Sequence, residues 1–217
     1  MGLMRRQTMT GTATTKKSKS LSDRWDAVLC DDRVQTIHRY GRSIGLIGDE
    51  SLAKHLAFAE ELTSALPDFA GRALDFGAGA GLIGLALQMM WVDAEVWWLD
   101  RRAKSVRAVK WAAGFFPEVD AQRVVLRDLK PRSTGSSLPL MDIAVGRSVG
   151  DRSTILPLAR DLVCVGGIVA LSARSVVGST RSDTQTGFSE VKGLVPTHIA
   201  PGIDAWVRTG PVEKLDG

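Results

Sequence analysis

The stretch LDFGAGAGLIG, residues 74–84, passes from a short apolar run through a cluster of glycines into a helical pattern. Glycines let the backbone turn sharply and approach a ligand closely, and the N-terminus of the following helix offers free N–H groups. The segment therefore predicts a strand, a cofactor-binding turn and a helix. Because Gly79-x-Gly81-x-x-Gly84 also satisfies the dinucleotide fingerprint G-x-G-x-x-G, the spacing alone leaves the identity of the cofactor open.

Acidic residues at the ends of two predicted strands favour a cationic cofactor. Asp75 lies beside the glycines, where a carboxylate would repel the pyrophosphate of a dinucleotide. The same carboxylate would attract the α-ammonium of S-adenosylmethionine, directly or through water. Asp100 ends the next strand, 25 residues after Asp75, in the position where a carboxylate holds a ribose diol. The alternative for Asp100 is an N-cap for the helix from Arg101 onward.

The order of helical and strand-like runs predicts an α/β fold. Two helices are expected first, at 22–40 and 49–66, each opened by a Ser or Asp cap. Strand-like runs then alternate with helices, which implies a mostly parallel sheet covered on both faces. The predicted strands are 73–76, 95–99, 123–126, 141–145 and 167–171, and the helices between them are 81–91, 102–115 and 152–163. After a polar loop at 175–188, runs at 189–195 and 203–208 are expected to close the sheet as an antiparallel pair.

Length and composition fit one domain behind a basic tail. The chain has 217 residues, 44% hydrophobic and 24% charged, which suits a single globular core. We expect a disordered tail at 1–20 and one domain at 21–217, made of a helical lead-in (21–66) and an α/β core (72–217). The net charge of the chain is +4; the tail contributes +5, so the remaining residues sum to −1. It is either a solvated end, a basic arm that attracts nucleic acid phosphates, or a transit peptide.

The sequence also predicts where the protein works. The longest apolar stretches fall well short of the roughly 20 residues that a membrane-spanning helix needs, so we expect no membrane partner. The two cysteines, Cys30 and Cys164, lie far apart and have no metal-ligand spacing, so neither a disulfide nor a metal site is expected. We therefore expect a cytoplasmic protein, which we take to be a monomer.

Residues 74–114 resemble the segment from motif I through the second helix of class I methyltransferases. More narrowly, they resemble the ribosomal RNA small subunit methyltransferase G family, and the likeness covers roughly residues 40–210. Four further segments resemble that family, at 45–56, 124–128, 142–149 and 165–171. The resemblance implies a Rossmann-like methyltransferase sheet with an N-terminal helical lead-in and an antiparallel C-terminal hairpin.

The resemblance also implies a cofactor and a reaction. The cofactor would be S-adenosylmethionine, with no metal, and the partner would be 16S rRNA or the small ribosomal subunit. The reaction would be methyl transfer to N7 of a guanosine, whose free lone pair needs positioning but no general base. The implied cofactor-binding residues are Asp75, Gly77, Ala78, Gly79, Gly81, Asp100, Arg101, Arg127 and Asp128.

Substrate-side residues follow from the same resemblance. Arg147 matches the family's arginine at the end of the fourth strand and is the implied catalytic residue, holding a phosphate or the guanine edge. The alternative is a surface ion pair, for example with Asp151. His55 would anchor the helical lead-in over the site, or it is simply a half-buried structural histidine. Lys104 and Arg107 belong to a row of four cations without an acid, which serves either RNA contact or solubility.

Several positions depart from the family pattern. Ala78 replaces a serine, Ile83 a proline, Ala57 and Phe58 an Asp-Ser pair, and Ser172 a lysine. The cofactor turn matches the family pattern almost completely, whereas the departures leave the identity of the methyl acceptor less constrained by the resemblance. Three alternatives therefore stay open: a methyltransferase for a small molecule or a protein, an NAD(P)-dependent oxidoreductase, and an inactive methyltransferase-fold interaction module.

Overall fold

The structure is a computed structural model that describes residues 19–117, 119–126, 138–173 and 191–210. Three sequence predictions therefore lie outside the described residues: most of the basic tail, the polar loop at 175–188, and the positions of Arg127 and Asp128. Among the described residues, no helix is both long and apolar enough to cross a membrane.

Three helices lead into the sheet. They are α1 (Leu21–Cys30), α2 (Asp32–Ser43) and α3 (Leu52–Ala65). The single helix predicted at 22–40 is wrong, because Asp31 has an extended backbone between α1 and α2 and its side chain accepts a hydrogen bond from the N–H of Arg33. A carboxylate in this position caps the second helix and ends the first.

Serines open the other two helices of the lead-in. Ser20 caps α1 and exchanges two hydrogen bonds with Asp23, which forms a capping box. Ser51 caps α3 by accepting from the N–H of Lys54. Caps of the predicted type are therefore present, although each lies two residues from the predicted start of its helix.

A seven-stranded sheet forms the centre of the molecule. Its strands are β1 (Arg72–Phe76), β2 (Glu95–Asp100), β3 (Val124–Leu126), β4 (Met141–Gly146), β5 (Val163–Ser172), β6 (Leu194–Ala200) and β7 (Ile203–Arg208). The order across the sheet is β3-β2-β1-β4-β5-β7-β6. Strands β1 to β5 run parallel, whereas β7 is antiparallel to both β5 and β6. The predicted α/β sheet with an antiparallel C-terminal pair is confirmed.

The first strand of that antiparallel pair differs from its predicted bounds. It begins at Leu194, not at residue 189, and continues to Ala200. Gly193 has a φ of 81°, and the N–H of Leu194 bonds back to the carbonyl of Val191. This local turn is incompatible with an extended strand, so β6 starts only after it.

Helices cover both faces of the sheet. The remaining helices are α4 (Leu82–Met90), α5 (Ala103–Ala113) and α6 (Arg152–Leu162), with a short 3-10 turn at Ala121–Arg123. Helices α1 to α5 share one buried apolar cluster with one face of the sheet, and α6 packs in a second cluster against the other face. The helical lead-in and the sheet thus share a continuous core.

The strand order places a crevice between β1 and β4. From these neighbouring strands the chain proceeds in opposite directions, to β2 and β3 on one side and to β5 on the other. In open α/β sheets such a switch point leaves a crevice outside the carboxyl ends of the strands, where ligands bind. The glycine-rich turn follows β1, and Arg147 follows β4, so both lie at this crevice.

We predict that Gly84→Ala lowers the free energy of unfolding by about 2 kcal/mol. Gly84 lies in α4 against β2, and an added Cβ would overlap the buried indole of Trp98. Urea denaturation measures the change. Gly48→Ala is the matched control, because no atom lies within 4 Å of its added Cβ. Equal unfolding midpoints for the two variants would contradict this packing.

Candidate active site

Three glycines shape the turn between β1 and α4. Gly77, Gly79 and Gly81 have φ values of 80°, 58° and 85°, a left-handed region that other residues rarely adopt. A Cβ at Gly77 would collide with Val149, and one at Gly81 would lie 2.8 Å from a methyl group of Val109. At Gly79 the nearest atom would be 3.8 Å away. Gly79 is therefore the point where a ligand can approach the backbone of the turn.

Hydrogen bonds attach the turn to the end of β2. The N–H groups of Gly77 and Ala78 both donate to the carbonyl of Leu99, at 2.8 and 3.1 Å. The N–H of Gly79 donates to Oδ2 of Asp100 at 2.9 Å. The two elements that the sequence assigned to the cofactor therefore form one connected unit.

Asp100 is buried, with 3% of its surface exposed, and accepts four hydrogen bonds. Two come from the backbone N–H groups of Gly79 and Arg102, at 2.9 and 2.8 Å. The other two come from Nε and Nη2 of the Arg102 side chain, both at 3.2 Å. Burial raises the pKa of Asp100, but the hydrogen bonds from Arg102 and Gly79 outweigh it and hold that pKa below its ordinary value.

These four bonds fill the acceptor capacity of Asp100, because a carboxylate offers about four lone-pair sites. The two backbone donors are fixed by the fold, whereas the Arg102 side chain is 51% exposed. A diol that binds Asp100 must therefore displace the guanidinium. Arg102, which bonds to Asp100, was not among the residues predicted from the sequence; the adjacent Arg101 was predicted instead, and its side chain is exposed.

Asp75 lies almost at the end of β1, where only 2% of its surface is exposed. Its Oδ2 accepts from the N–H of Gly84 at 2.9 Å, so the carboxylate caps the first turn of α4. Burial raises the pKa of Asp75 to about 7; the hydrogen bond from Gly84 opposes this and the charge of Asp100 adds to it. A cation beside Asp75 would favour its ionised form.

A charged cluster lies on the other side of the crevice. Nη2 of Arg147 is 2.6 Å from Oε2 of Glu50, and Nη1 is 3.0 Å from Nδ1 of His55. The same Nδ1 is 2.7 Å from Oε1 of Glu50. Burial and the charge of Arg147 lower the pKa of His55, although Glu50 acts in the opposite direction. The lowered pKa favours a neutral ring.

Glu50 is the second residue that the sequence analysis missed. Burial raises its pKa, but Arg147 and His55 outweigh burial and lower the pKa below its ordinary value. Arg147 therefore has an ionised partner on the lead-in, 97 positions away in the sequence. Asp151, the partner considered from the sequence, caps α6 by accepting from the N–H of Ser153.

The register of the sheet brings the cluster and the turn to the same edge. Asp75 pairs with Val145, so Gly77 and Arg147, two residues further on, both follow their strands at the β1–β4 switch point. Ser148 has a φ of 55°, and among the described residues it is the only non-glycine with a positive φ. Its N–H bonds to the hydroxyl of Ser172 at 3.3 Å, so a residue that departs from the family pattern supports the loop after Arg147.

The predicted cationic residues in and just before α5 lie on the surface. The side chains of Arg101, Lys104 and Arg107 are exposed at the start and along the outer face of α5. Ile83 and Phe58, two of the departures from the family pattern, are buried apolar residues.

Two curated proteins that resemble the chain share one name, ribosomal RNA small subunit methyltransferase G. The protein from Anaeromyxobacter dehalogenans is 31% identical over 173 residues, which cover 73% of this chain and 76% of that protein. The protein from Rhodospirillum centenum is 29% identical over 139 residues, 61% of this chain and 60% of that protein. The chain therefore spans less than two thirds of the Rhodospirillum relative. No protein-family model matches the chain.

Solved methyltransferase structures have the same fold. An S-adenosylmethionine-dependent O-methyltransferase from Thermotoga maritima aligns over 85% of this chain and 74% of its own, with a TM-score of 0.52 and 13% identity. A candidate O-methyltransferase from Klebsiella pneumoniae aligns over 88% of this chain and 97% of its own, with a TM-score of 0.53 and 16% identity. Identities this low establish the fold alone, and they confirm the predicted Rossmann-like methyltransferase architecture.

We predict that Asp75→Asn changes how stability depends on pH. Because the pKa of Asp75 is raised in the folded protein, its protonated form stabilises the fold below the ordinary carboxyl pKa, and this contribution is lost as the pH rises to about 7. Relative to the variant, the wild type should therefore lose about 4 kcal/mol between pH ~4 and pH ~8. Urea denaturation across that range measures the difference.

The control for this prediction is Asp26→Asn, on the exposed face of α1. It makes the same chemical change at an exposed position and serves as the reference for replacing a carboxyl by an amide. The comparison uses the change in the free energy of unfolding with pH. Any effect of the buried amide in Asp75→Asn that is the same at every pH therefore cancels. Parallel curves for the wild type and Asp75→Asn would contradict the raised pKa of the buried Asp75.

Proposed function

Because the chain belongs to the ribosomal RNA small subunit methyltransferase G family, we propose that it transfers a methyl group from S-adenosylmethionine to N7 of a guanosine in 16S rRNA. The observation that carries the proposal is the attachment of the open glycine turn to Asp100 at the β1–β4 switch point. The monomeric state and the cytoplasmic location stay predictions from the sequence.

The residues of the turn fit an adenosine cofactor with a positive charge. Asp100, ionised and at the end of β2, would hold the ribose hydroxyls once Arg102 releases it. Asp75 would face the α-ammonium, and the open side of Gly79 leaves room for close approach of the ligand to the backbone. When bound, S-adenosylmethionine supplies a methyl group on a positively charged sulfur.

A buried carboxylate beside the turn favours this cofactor over NAD(P). The glycine spacing allows both, but the ionised form of Asp75 would repel the pyrophosphate of a dinucleotide and attract the ammonium of S-adenosylmethionine. The raised pKa of Asp75 reflects burial without a cationic partner, which an ammonium group would provide. The oxidoreductase alternative therefore has less support than methyl transfer.

The cluster around Arg147 fits the recognition of the methyl acceptor. Guanine N7 carries no proton at neutral pH, so no residue has to act as a base. Arg147 would orient the nucleotide by donating to a guanine oxygen or a phosphate. Glu50 holds the guanidinium from the lead-in, and neutral His55 completes the contact. The lead-in helices thus take part in positioning a residue that the sheet supplies.

The reaction is tested with radiolabelled S-adenosylmethionine and small ribosomal subunits that lack N7-methylguanosine. We expect label in 16S rRNA, recovered as 7-methylguanosine. Arg147→Ala should lower kcat/KM about a hundredfold, because misplacement of the acceptor removes near-attack alignment. Glu50→Gln should cause a smaller loss, since the guanidinium keeps one partner. Neither variant should change the affinity for S-adenosylhomocysteine. Label in proteins, or none in 16S rRNA, would refute the proposed acceptor.

A second prediction concerns Arg102. Arg102→Met should tighten S-adenosylhomocysteine binding about fivefold, or ~1 kcal/mol, because the ribose no longer competes with a half-exposed guanidinium for Asp100. Isothermal titration calorimetry measures the change. Arg101→Met is the matched control, since its side chain is exposed and makes no hydrogen bond to Asp100. Weaker binding by Arg102→Met would instead assign the guanidinium to the cofactor.

A further inference from the structure

Three aromatic side chains form a continuous group on the surface near the glycine turn. The ring centroid of Trp111 lies 4.3 Å from that of Tyr40 and 4.9 Å from that of Phe115. Trp111 is 39% exposed and Phe115 38%. Within the described part of the chain, no other tryptophan or phenylalanine is exposed. Exposed rings in contact with one another mark an interaction site more often than isolated ones do.

Positive charge lies beside these rings on α5. Helix α5 contains no acidic residue, and Lys104, Arg107 and Lys110 are exposed along it. Residues i, i+3 and i+7 share a helix face, so Lys104 and Arg107 lie on the same side as Trp111. None of the three cations has an ion-pair partner among the described residues. Their charges are therefore available to an anionic partner.

This surface adjoins the proposed cofactor site. Val109 of α5 packs against Gly81 of the turn, and Gly41 of α2 packs so closely on Ala80 that an added Cβ would lie 2.9 Å from it. Trp111 lies two residues after Val109, and Tyr40 directly precedes Gly41. Helices α2 and α5, which supply Tyr40 and Trp111, therefore both contact the glycine turn through their buried sides, and Trp111 lies on the exposed side of α5.

We propose that the surface formed by Tyr40, Lys104, Arg107, Lys110, Trp111 and Phe115 binds unpaired RNA nucleotides next to the target guanosine. The proposal rests on the proposed function, because it takes the substrate to be RNA. Bases stack on the indole of Trp111, and the adjacent cations contact the phosphates. Aromatic stacking with a basic groove is the physical basis of single-strand binding, and it requires bases that are not already paired.

The positive charge of this surface favours RNA over two other partners, the N-terminal segment of the chain and a second copy of the protein. The N-terminal segment, residues 1–20, carries +5, so the cationic face of α5 repels it. A second copy that used the same surface in a symmetric dimer would place Lys104, Arg107 and Lys110 against their own equivalents. An RNA strand supplies both the negative charge and the flat rings that this surface matches.

The test measures binding of a fluorescein-labelled single-stranded RNA of about 12 nucleotides by anisotropy, beside a duplex of the same length. We expect the single strand to bind more tightly. Trp111→Leu should weaken that binding about tenfold, whereas Trp111→Phe should keep most of it, because leucine preserves apolar bulk but has no ring for stacking. The triple variant Lys104→Gln, Arg107→Gln, Lys110→Gln should reduce the salt slope by about 2.

Val165→Ala is the control, because Val165 is 59% exposed on β5, which is not one of the elements that form the proposed surface. This variant should bind RNA like the wild type. Calorimetry with S-adenosylhomocysteine shows that each variant retains its cofactor site. In methylation assays, Trp111→Leu should raise KM for small subunits and leave kcat unchanged.

Two outcomes would overturn the inference. Equal RNA affinities for Trp111→Leu, Trp111→Phe and the wild type would remove the stacking role. Self-association in sedimentation that Trp111→Leu abolishes would assign the surface to a second copy. Failure of the proposed function looks different, because the wild type would then bind no S-adenosylhomocysteine or leave 16S rRNA unlabelled, whatever the anisotropy shows.

Discussion

The attachment of the glycine turn to the end of β2 is the constraint on which the site depends. The N–H groups of Gly77 and Ala78 share the carbonyl of Leu99, and the N–H of Gly79 reaches Asp100. Parallel pairing of β1 with β2 alone would leave the turn free to move above the sheet. These three hydrogen bonds hold the turn against the end of β2, so the open backbone at Gly79 and the carboxylate of Asp100 keep one relative position.

Packing beneath the turn helps to hold it in this position. Side chains alternate across a strand, so Asp75 and Trp98 point to the face that α4 covers. Gly84 lets α4 approach the indole of Trp98, and its N–H then meets the carboxylate of Asp75. The indole N–H of Trp98 in turn donates to the carbonyl of Gly81 at 3.2 Å. One buried acid and one buried indole thus connect the helix, the turn and two strands.

Local patterns predicted the sheet and the cofactor turn, because alternating apolar runs and closely spaced glycines are properties of contiguous sequence. The helix break at Asp31 escaped prediction, since an aspartate fits a solvent-facing helix position and only its side-chain bond shows a cap. Glu50 escaped because its pairing with Arg147 depends on how the lead-in folds back toward the loop after β4. Arg102 escaped because Arg101 beside it has the same charge, and only the fold decides which one reaches Asp100.

Burial raises the pKa of Asp75 to about 7, and this shift would connect the proposed cofactor binding to proton concentration. In its proposed role, Asp75 loses a proton when it pairs with the α-ammonium, so affinity increases as the solution becomes more alkaline. S-adenosylmethionine and S-adenosylhomocysteine both carry that ammonium, whereas the sulfonium charge is present in only the first. In that role, protonation of Asp75 would weaken the binding of both ligands, because both present the ammonium that a neutral carboxyl attracts less strongly.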